Sequence, residues 1–522
     1  MSQLLKSSVA MSAATFLSRL LGLAREIVYA GFMGTTWVAD AFNLAFAVPN
    51  LFRRLLGEGA LTAAFIPVFK AKEKTEGEAS MWQAANAVLS GLVIAASLLV
   101  ALGILAVSAA LALGWIEDGK TLLMLGLLRV LLPYLLLVCL AAVLMGMLNA
   151  RGHFFIPTLG AATMNIVMIA AVAISGWLGN ARGWRLDQQV YGLAVGVVIA
   201  GIVQALFQLP LLRKEGFRYR WTAPWRDETV RRVVAQMIPG SIGVAAFQIN
   251  VLLTNWLAFG VDKGVLASFN VAVRLLELPQ GVFGISMATT LLPALAGLAA
   301  EKKYPEYRAT LRQGLDWLIF VNLLASALLV ALAEPMIRFL FERGKFDADS
   351  TYKSAQALMF LGPGLVAFSV TNILARAFYA LGDVKTPMRI SVFCLVTNLA
   401  ITFAVIWKFR QAGMGFANTL TALVNVTLLF YALRRKLKTL ELAELRRHLL
   451  VLLGAAAMAG GTAWWLAQWW SRAIGHETLW QRAGEVFVPM TIASLLYLGL
   501  ATAFKTGHTD RLLAVFRRRL AP

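Results

Sequence analysis

Long apolar runs recur along the whole of this chain, and each is long enough to cross a lipid bilayer. A helix of about 20 apolar residues spans the roughly 30 Å of bilayer hydrocarbon. Hydrophobic residues make up 59% of the chain and charged residues only 14%, with a mean hydropathy of +0.71. Soluble domains carry about 25% charged residues, so a soluble fold is excluded. The runs predict an all-α polytopic membrane protein with 14 transmembrane helices.

The net charge of +21 is distributed as a membrane topology requires. Lys and Arg concentrate in every second loop, and basic loops face the cytoplasm. Their distribution predicts that the N-terminus and the C-terminus are both cytoplasmic. We expect no nucleic-acid partner, because the charge lies between apolar runs and not on one basic face. The N-terminal run contains charges and no clear cleavage site, so we expect it to be retained as the first helix.

The chain repeats itself in two halves. Four loop and helix positions recur at one constant offset: Pro133, Ala150, Gly152 and Pro157 correspond to Pro363, Ala380, Gly382 and Pro387. Six helices per half give both halves the same orientation, so a pseudo-twofold axis along the membrane normal should relate them, with the substrate path between them. We predict a six-helix lobe over residues 1–215, a second over 216–440, and two C-terminal helices with a basic tail over 441–522.

Arginines inside the apolar runs point to the kind of cargo. The arginines within predicted membrane segments are Arg19, Arg25, Arg53, Arg54, Arg129, Arg274 and Arg376. An arginine at the bilayer centre costs about 2.5–3.5 kcal/mol on insertion scales, so these side chains should face water, protein partners or a ligand. Guanidinium presents a planar fork of donors that fits phosphate. Their surplus over buried acids predicts an anionic ligand, most readily a phosphate or diphosphate.

Internal pairing is the alternative interpretation of these arginines. Three of them have an acidic residue close in sequence: Arg25 with Glu26, Arg54 with Glu58, and Arg274 with Glu277. Complete pairing would leave a structural network, and for Arg129 and Arg376 we prefer such a bracing role. Asp40, near the outer end of the second segment, fits either a gate that pairs with an arginine or an interfacial helix-end charge.

Proline and glycine interrupt two of the membrane segments. Pro49, Gly57 and Gly59 interrupt the second segment, and Pro279, Gly281 and Gly284 interrupt the eighth. Broken helices are tolerated where the backbone lines a cavity, and they provide bends for alternating access. Ordinary packing kinks are the alternative.

No catalytic or metal chemistry is indicated. The four histidines show no ligand spacing, and no nucleophile has a partner motif, so we predict no catalytic residues, no metal and no cofactor. Without an ATP-binding domain, energy must come from the membrane potential, a coupling monovalent cation or substrate flux. Polar residues in the seventh and eleventh segments could bind such a cation or simply bridge helices: Gln248, Asn250, Asn255, Thr397 and Asn398.

The first two segments and the eighth resemble one known family. The matching stretches are Ser18-Arg19-Leu20-Leu21-Gly22-Leu23-Ala24-Arg25-Glu26, Ala39-Asp40-Ala41-Phe42, Pro49-Asn50-Leu51-Phe52-Arg53-Arg54, Glu58-Gly59-Ala60 and Arg274-Leu275-Leu276-Glu277. This pattern is similar to that of the MurJ/MviN lipid II flippases, in the multidrug/oligosaccharidyl-lipid/polysaccharide exporter superfamily. The resemblance extends over essentially the whole chain.

The resemblance implies two six-helix lobes around a central cationic cavity, with a groove on the two C-terminal helices for a polyprenyl tail. It assigns diphosphate binding to five arginines: Arg19, Arg25, Arg53, Arg54 and Arg274. It assigns gating and the surrounding charge network to a second set: Ser18, Glu26, Asp40, Asn50, Glu58 and Glu277.

The activity that the resemblance implies is transport, not catalysis. Lipid II, the undecaprenyl-diphosphate-linked peptidoglycan precursor, would move from the inner to the outer leaflet of the bacterial inner membrane by alternating access. We expect a monomer, with lipid II as cargo and cell-wall synthesis proteins as candidate partners. Three alternatives stay open: a flippase for another polyprenyl-linked oligosaccharide, a drug/cation antiporter of the same superfamily, and a non-transporting membrane scaffold.

Overall fold

The computed structural model describes residues 3–53, 61–114, 116–153, 155–440 and 443–508, and within them the chain is all helical. The first nine helices are α1 (Gln3–Met33), α2 (Trp37–Phe52), α3 (Leu61–Glu76), α4 (Glu78–Ala112), α5 (Gly119–Ala150), α6 (Phe155–Ala181), α7 (Leu186–Leu206), α8 (Leu209–Lys214) and α9 (Glu228–Val261). The remaining nine are α10 (Val265–Pro279), α11 (Ser286–Ala300), α12 (Tyr304–Ala331), α13 (Ala333–Phe341), α14 (Ala348–Leu361), α15 (Gly364–Ala380), α16 (Lys385–Leu437), α17 (Ala443–Ala473) and α18 (Leu479–Ala503). The predicted all-α class is confirmed for these ranges.

Many of these helices can cross a membrane. Within the described ranges, nine are long and apolar enough to do so, or ten if α14 and α15, bent by 47°, form one span. The 53-residue α16 has non-helical torsion angles at Arg410 (φ 48°, ψ −127°), so it consists of two helices joined at a kink. The sequence predicts two separate segments in this stretch. The total of 14 spans stays a prediction.

The chain divides by packing into two units, residues 1–267 and 268–522. Helix α9 packs against α2, α3 and α4 and therefore belongs to the first unit. The predicted lobe boundary near residue 215 rests on the sequence repeat, whereas this division rests on packing. The two boundaries therefore describe different properties of the chain, and the repeat-based one stays a prediction.

The two C-terminal helices pack into the second unit. Their small residues Ala456, Ala459 and Ala463 lie in one apolar core with α11, α12, α15 and α16. The buried Tyr497 hydroxyl on α18 donates a hydrogen bond of 2.8 Å to the carbonyl of Phe320 on α12. A buried hydroxyl without such a partner would carry an uncompensated desolvation cost. The Tyr497 hydroxyl therefore favours one packing position of α18 against α12.

A polar cluster, the Arg338 clamp, fastens α18 to α13. Arg338 Nη1 donates to Glu485 Oε1 at 2.8 Å, and Glu485 is only 2% exposed. One turn earlier on α18, Arg482 donates to the carbonyl of Glu342 at 2.9 Å and reaches its carboxylate at 3.2 Å. Charges this buried are tolerated because each has an opposite partner. The clamp therefore holds the start of α18 against the second unit.

The internal repeat is visible in the local backbone. Ala150 ends α5 and Ala380 ends α15, and in each case a glycine in the left-handed region follows: Gly152 at φ 85° and Gly382 at φ 73°. Residues with a Cβ are strained there, so glycine is the usual residue just past a helix end. The matched glycines of the two halves therefore perform the same helix-ending role.

Both repeated loops also carry ion pairs. In the first, hydrogen bonds from His153 and Arg151 hold the pKa of Glu215 below its ordinary value. In the second, Lys436 Nζ lies 2.7 Å from the Asp383 carboxylate. This contact, together with a hydrogen bond from the backbone N–H of Thr386 to the same carboxylate, lowers the pKa of Asp383 to about 2. Each loop is thus pinned to the end of a later helix of its own half.

Candidate functional site

Arg25 lies at the interface between α1 and α6 in the first unit. Its Nη1 donates to Asn165 Oδ1 at 3.0 Å, its Nη2 donates to Glu26, and the guanidinium lies 5.8 Å from the ring centre of Tyr29. The side chain is only 14% exposed. Its Nε is buried and has no hydrogen-bond partner among the described residues. A charged donor is therefore held in fixed orientation with one N–H left for a further acceptor.

Asn165 also connects this cluster to α1 about two helical turns before Arg25. Its Nδ2 donates to the carbonyl of Ser18 at 3.3 Å. The neighbouring Arg19 is exposed and forms no ion pair with a described residue. Six residues separate Arg19 from Arg25, and that spacing is nearly two helical turns. Two predicted phosphate ligands therefore lie along one stretch of α1, one oriented by neighbours and one extended.

Arg53 ends the described part of the second segment. Its Nε donates to Asn50 Oδ1 at 2.8 Å, so the predicted network member Asn50 does contact an arginine. Pro49 lies inside α2 one residue earlier. The predicted Arg54 and Glu58, together with Gly57 and Gly59, lie outside the described residues.

Asp40 is fully buried and bonds to the segment that begins α10. Its carboxylate accepts hydrogen bonds from the backbone N–H groups of Gly264 at 2.7 Å and Ala267 at 2.9 Å. A carboxylate at a helix N-terminus satisfies unpaired N–H groups and interacts favourably with the helix dipole. Its side-chain partner is Lys120, whose Nζ lies 3.2 Å away. Of the two alternatives for Asp40, these contacts favour the helix-end charge over a gate that pairs with an arginine.

Lys120 extends this contact to the end of α9. Its ammonium donates to the carbonyl of Phe259 at 2.6 Å and to that of Asp262 at 3.4 Å, and it lies 4.3 Å from the Phe259 ring centre. One lysine from the start of α5 thus satisfies the C-terminal carbonyls of α9 while neutralising Asp40. We call this contact set the Asp40 lock, and it consists of Asp40, Lys120, Phe259, Asp262, Gly264 and Ala267.

The Asp40 lock requires glycine at position 264. Gly264 has φ +81°, and a Cβ there would lie 2.0 Å from the carbonyl oxygen of Thr35. We expect Gly264→Ala to lower the free energy of unfolding by about 2–3 kcal/mol, from backbone strain and this clash. Thermal unfolding in detergent checks it, with Gly260→Ala on α9, where a Cβ meets nothing within 4 Å, as control. Equal thermal unfolding midpoints for Gly264→Ala and Gly260→Ala would contradict the prediction.

Arg274 lies on α10 in the second unit. Arg274 Nη1 and Glu277 Oε2 are 2.9 Å apart, so the pair predicted from the three-residue spacing is confirmed. Both side chains are nearly half exposed. The helix is interrupted just beyond Pro279 by a π-helical turn, Gln280–Ile285, as predicted. Gly284 in that turn packs against Ser369 of α15, which gives the break a packing role.

Two residues of these sites were missed by the sequence analysis. Asn165 is a polar side chain in the apolar helix α6, and it is 7% exposed. Lys120 is the second residue of α5, which Asp118 caps. A buried amide inside an apolar run is the signal that could have indicated Asn165, whereas Lys120 resembles any basic residue in a loop.

The predicted polar residues of the eleventh segment differ in their hydrogen bonds. Asn398 Nδ2 donates to Thr421 Oγ1 at 3.4 Å across the two halves of α16, and this bond favours the helix-bridging interpretation for Asn398. Thr397 donates to the carbonyl of Phe393 at 2.9 Å within one helix.

Known proteins place the chain in a family. The family model described as lipid II flippase MurJ matches residues 29–482. A curated protein named probable lipid II flippase MurJ, from Vibrio cholerae, is 33% identical over 519 residues, which cover 96% of this chain and 95% of that protein. The chain belongs to the MurJ lipid II flippase family. The MurJ of Burkholderia cenocepacia, named lipid II flippase MurJ, is 31% identical and covers 89% and 90% of the two chains.

Solved structures agree with the family at the level of the fold. One described as lipid II flippase MurJ, inward closed conformation, superposes with a TM-score of 0.77 at 21% identity and covers 95% of this chain and 98% of that one. An inward-facing multidrug resistance MATE family transporter gives a TM-score of 0.67 at 16% identity, over 82% and 98%. This chain thus shares its helical fold with solved MurJ and MATE transporter structures.

Proposed function

We propose that this chain is a lipid II flippase, which moves the undecaprenyl-diphosphate-linked peptidoglycan precursor from the inner to the outer leaflet by alternating access. The observation that carries the proposal is the match to curated lipid II flippases over nearly the whole length, at 33% identity in one case. As a member of a transporter family the chain is not an enzyme. Its apolar helices belong in the bacterial inner membrane as a multi-pass protein.

The membrane arrangement follows from the charge and the repeat. We infer 14 transmembrane helices with both termini cytoplasmic, because basic loops stay on that side. Two six-helix lobes, 1–215 and 216–440, would surround the substrate path, and 441–522 would add two helices and a basic tail. The matched glycines after α5 and α15 support this internal symmetry.

The diphosphate would bind to arginines of both lobes: Arg19, Arg25, Arg53, Arg54 and Arg274. Arg25 is the best supported, because its buried Nε–H has no described partner and two neighbours fix its orientation. Charge-assisted hydrogen bonds from guanidinium to phosphate are short and directional. Three of these arginines already bond to a neighbouring side chain: Arg25 to Glu26, Arg53 to Asn50, and Arg274 to Glu277. Each neighbour would release its arginine when the diphosphate takes its place.

The polyprenyl tail would lie in an apolar cavity of the second unit. A cavity of about 560 Å³ lies between α12 and α17 and is lined almost entirely by apolar side chains, among them Leu323, Val330, Leu453 and Trp464. Gly460 and Gly461 line the cavity on α17, and because they have no side chain they leave the helix backbone exposed to it. An isoprenoid chain needs such a surface, and small residues let it approach the helix backbone closely.

The membrane potential is the proposed energy source. A dianionic diphosphate crossing an inside-negative potential of 100 mV gains roughly 4–5 kcal/mol. We expect collapse of the potential with an ionophore to slow the appearance of lipid II in the outer leaflet, measured at constant lipid II supply. An unchanged rate would contradict this, and a rate that follows one monovalent ion gradient would identify a coupling cation. No other cofactor is proposed, and the transporter would act as a monomer alongside cell-wall synthesis proteins.

The decisive experiment is rescue of cells depleted of their own lipid II flippase. Lipid II in the outer leaflet is measured by its accessibility to an external lipid II-degrading enzyme. We expect the wild-type chain to restore both growth and accessibility. Failure of well-expressed wild type would exclude lipid II as cargo and favour another polyprenyl-linked oligosaccharide, which the same accessibility assay on that lipid would test.

A further inference from the structure

Three ligand-type side chains of the second unit meet at one point. Asp316 lies on α12, His448 lies on α17, and His508 lies in the segment that follows the end of α18 at Ala503. Asp316 Oδ1 is 3.1 Å from His448 Nδ1, and Asp316 Oδ2 is 3.0 Å from His508 Nε2. One ligand atom from each residue falls within 4.8 Å of the other two. Helices that are far apart in sequence thus bring two imidazoles and a carboxylate together.

The surroundings hold these groups rigidly. The His508 ring is 1% exposed, stacks on Phe320 with centroids 4.6 Å apart, and meets Trp317 edge-on at 5.4 Å. Both of its nitrogens lack a hydrogen-bond partner among the described residues, although Nε2 is so close to Asp316. The ring is therefore not oriented for a hydrogen bond to that carboxylate. Buried polar atoms normally have a bonding partner, so the buried His508 Nε2 requires one other than a hydrogen bond to Asp316.

We infer that Asp316, His448 and His508 form a binding site for a transition-metal ion of the Zn²⁺ type. Two imidazoles and one carboxylate are a ligand set that Zn²⁺ accepts, with metal–ligand distances of about 2.0–2.2 Å. Two such ligands in a tetrahedral site lie about 3.3 Å apart, close to the 3.1 Å and 3.0 Å that separate Asp316 from His448 and from His508. Mg²⁺ and Ca²⁺ prefer oxygen ligands, so they fit this set poorly. His448 is 28% exposed, which leaves room for water as a fourth ligand.

The ion would act as a structural fastener. It would join α12, α17 and the end of α18 at the side where α17 begins. Asp316 lies about two helical turns before Leu323, and His448 lies between one and two turns before Leu453. Those two leucines line the apolar cavity between α12 and α17. The metal site would thus set the spacing of the two cavity walls at one end; the site itself does not depend on which cargo is carried.

Metal binding is tested on the full chain, purified in detergent with a tag that contains no histidine. After removal of metals, the wild type is titrated with Zn²⁺, and bound metal is measured by mass spectrometry together with the thermal unfolding midpoint. We expect about one Zn²⁺ per chain and a rise in the midpoint. Asp316→Asn, His448→Ala and His508→Ala should each weaken binding at least about tenfold. His476→Ala, in the loop between α17 and α18, should bind as the wild type does.

A second measurement does not depend on the variants being folded. Co²⁺ added to the metal-free wild type should give the intense visible absorption of a tetrahedral site, and Zn²⁺ should abolish it. No bound Zn²⁺ and no such absorption in the wild type would overturn the inference and leave a plain His–Asp–His contact. Equal binding by the wild type and all three ligand variants would overturn it as well.

Discussion

Replacing Arg25 with alanine is expected to abolish rescue of cells depleted of their lipid II flippase, at matched membrane levels. The variant loses a buried guanidinium whose Nε–H has no described partner. A hydrogen bond to a charged group contributes about 1.5–3 kcal/mol, so loss of the bond from the Arg25 Nε–H to a diphosphate lowers transport roughly 10- to 100-fold. Outer-leaflet accessibility of lipid II is the measurement.

Two further variants separate binding from charge and from folding. Arg25→Lys keeps the positive charge but loses the planar fork, and we expect transport to remain at least about tenfold below wild type. Arg129→Ala is the matched control, since this exposed arginine of α5 also lies in a membrane segment. Full rescue by Arg25→Ala, or equal loss in Arg129→Ala, would show that Arg25 is not a phosphate ligand.

Lys120→Met should be among the most destabilising single substitutions in the first unit. It leaves the Asp40 carboxylate, which is 0% exposed, without its counter-ion and removes the Lys120 donor from the carbonyl of Phe259 at the end of α9. Breaking a buried ion pair on one side costs about 3–5 kcal/mol. The thermal unfolding midpoint in detergent should fall accordingly, whereas Lys263→Met, at an exposed neighbouring lysine, should leave it nearly unchanged.

A double-mutant cycle separates the ion pair from its surroundings. Asp40→Asn removes the charge that Lys120→Met leaves unpaired. The double variant should therefore lose less stability than the sum of the losses of the two single variants. Strict additivity would mean that the Asp40 lock is held by its backbone hydrogen bonds alone. The same cycle in the rescue assay would show whether the lock must also open during transport.

Much of the fold could be predicted because its signals are local. Apolar runs specify helices, the three-residue spacing of Arg274 and Glu277 specifies a contact, and a Gly after Ala150 and Ala380 specifies a helix end. Arg25 and Glu26 were likewise adjacent in sequence, and their contact is present. In each case the chain geometry of one helix or one turn decides the outcome.

The missed features depend on tertiary packing. Asp40 meets Lys120, 80 positions later, and Arg25 meets Asn165 on another helix. The cluster of Asp316, His448 and His508 has no spacing rule at all, because α12, α17 and the segment after α18 supply one residue each. No periodicity encodes such meetings, so the histidines showed no ligand pattern in the sequence.

The α17–α18 hairpin is held to its unit at both ends. The Arg338 clamp fixes the turn end, and the open end is fixed by the bond between Asp316 and His448 and by the stacking of His508 on Phe320. Helices usually respond to a thicker or thinner bilayer by tilting. Two fixed ends remove that freedom, so the gap between α12 and α17 should keep its width in membranes of different lipid chain length.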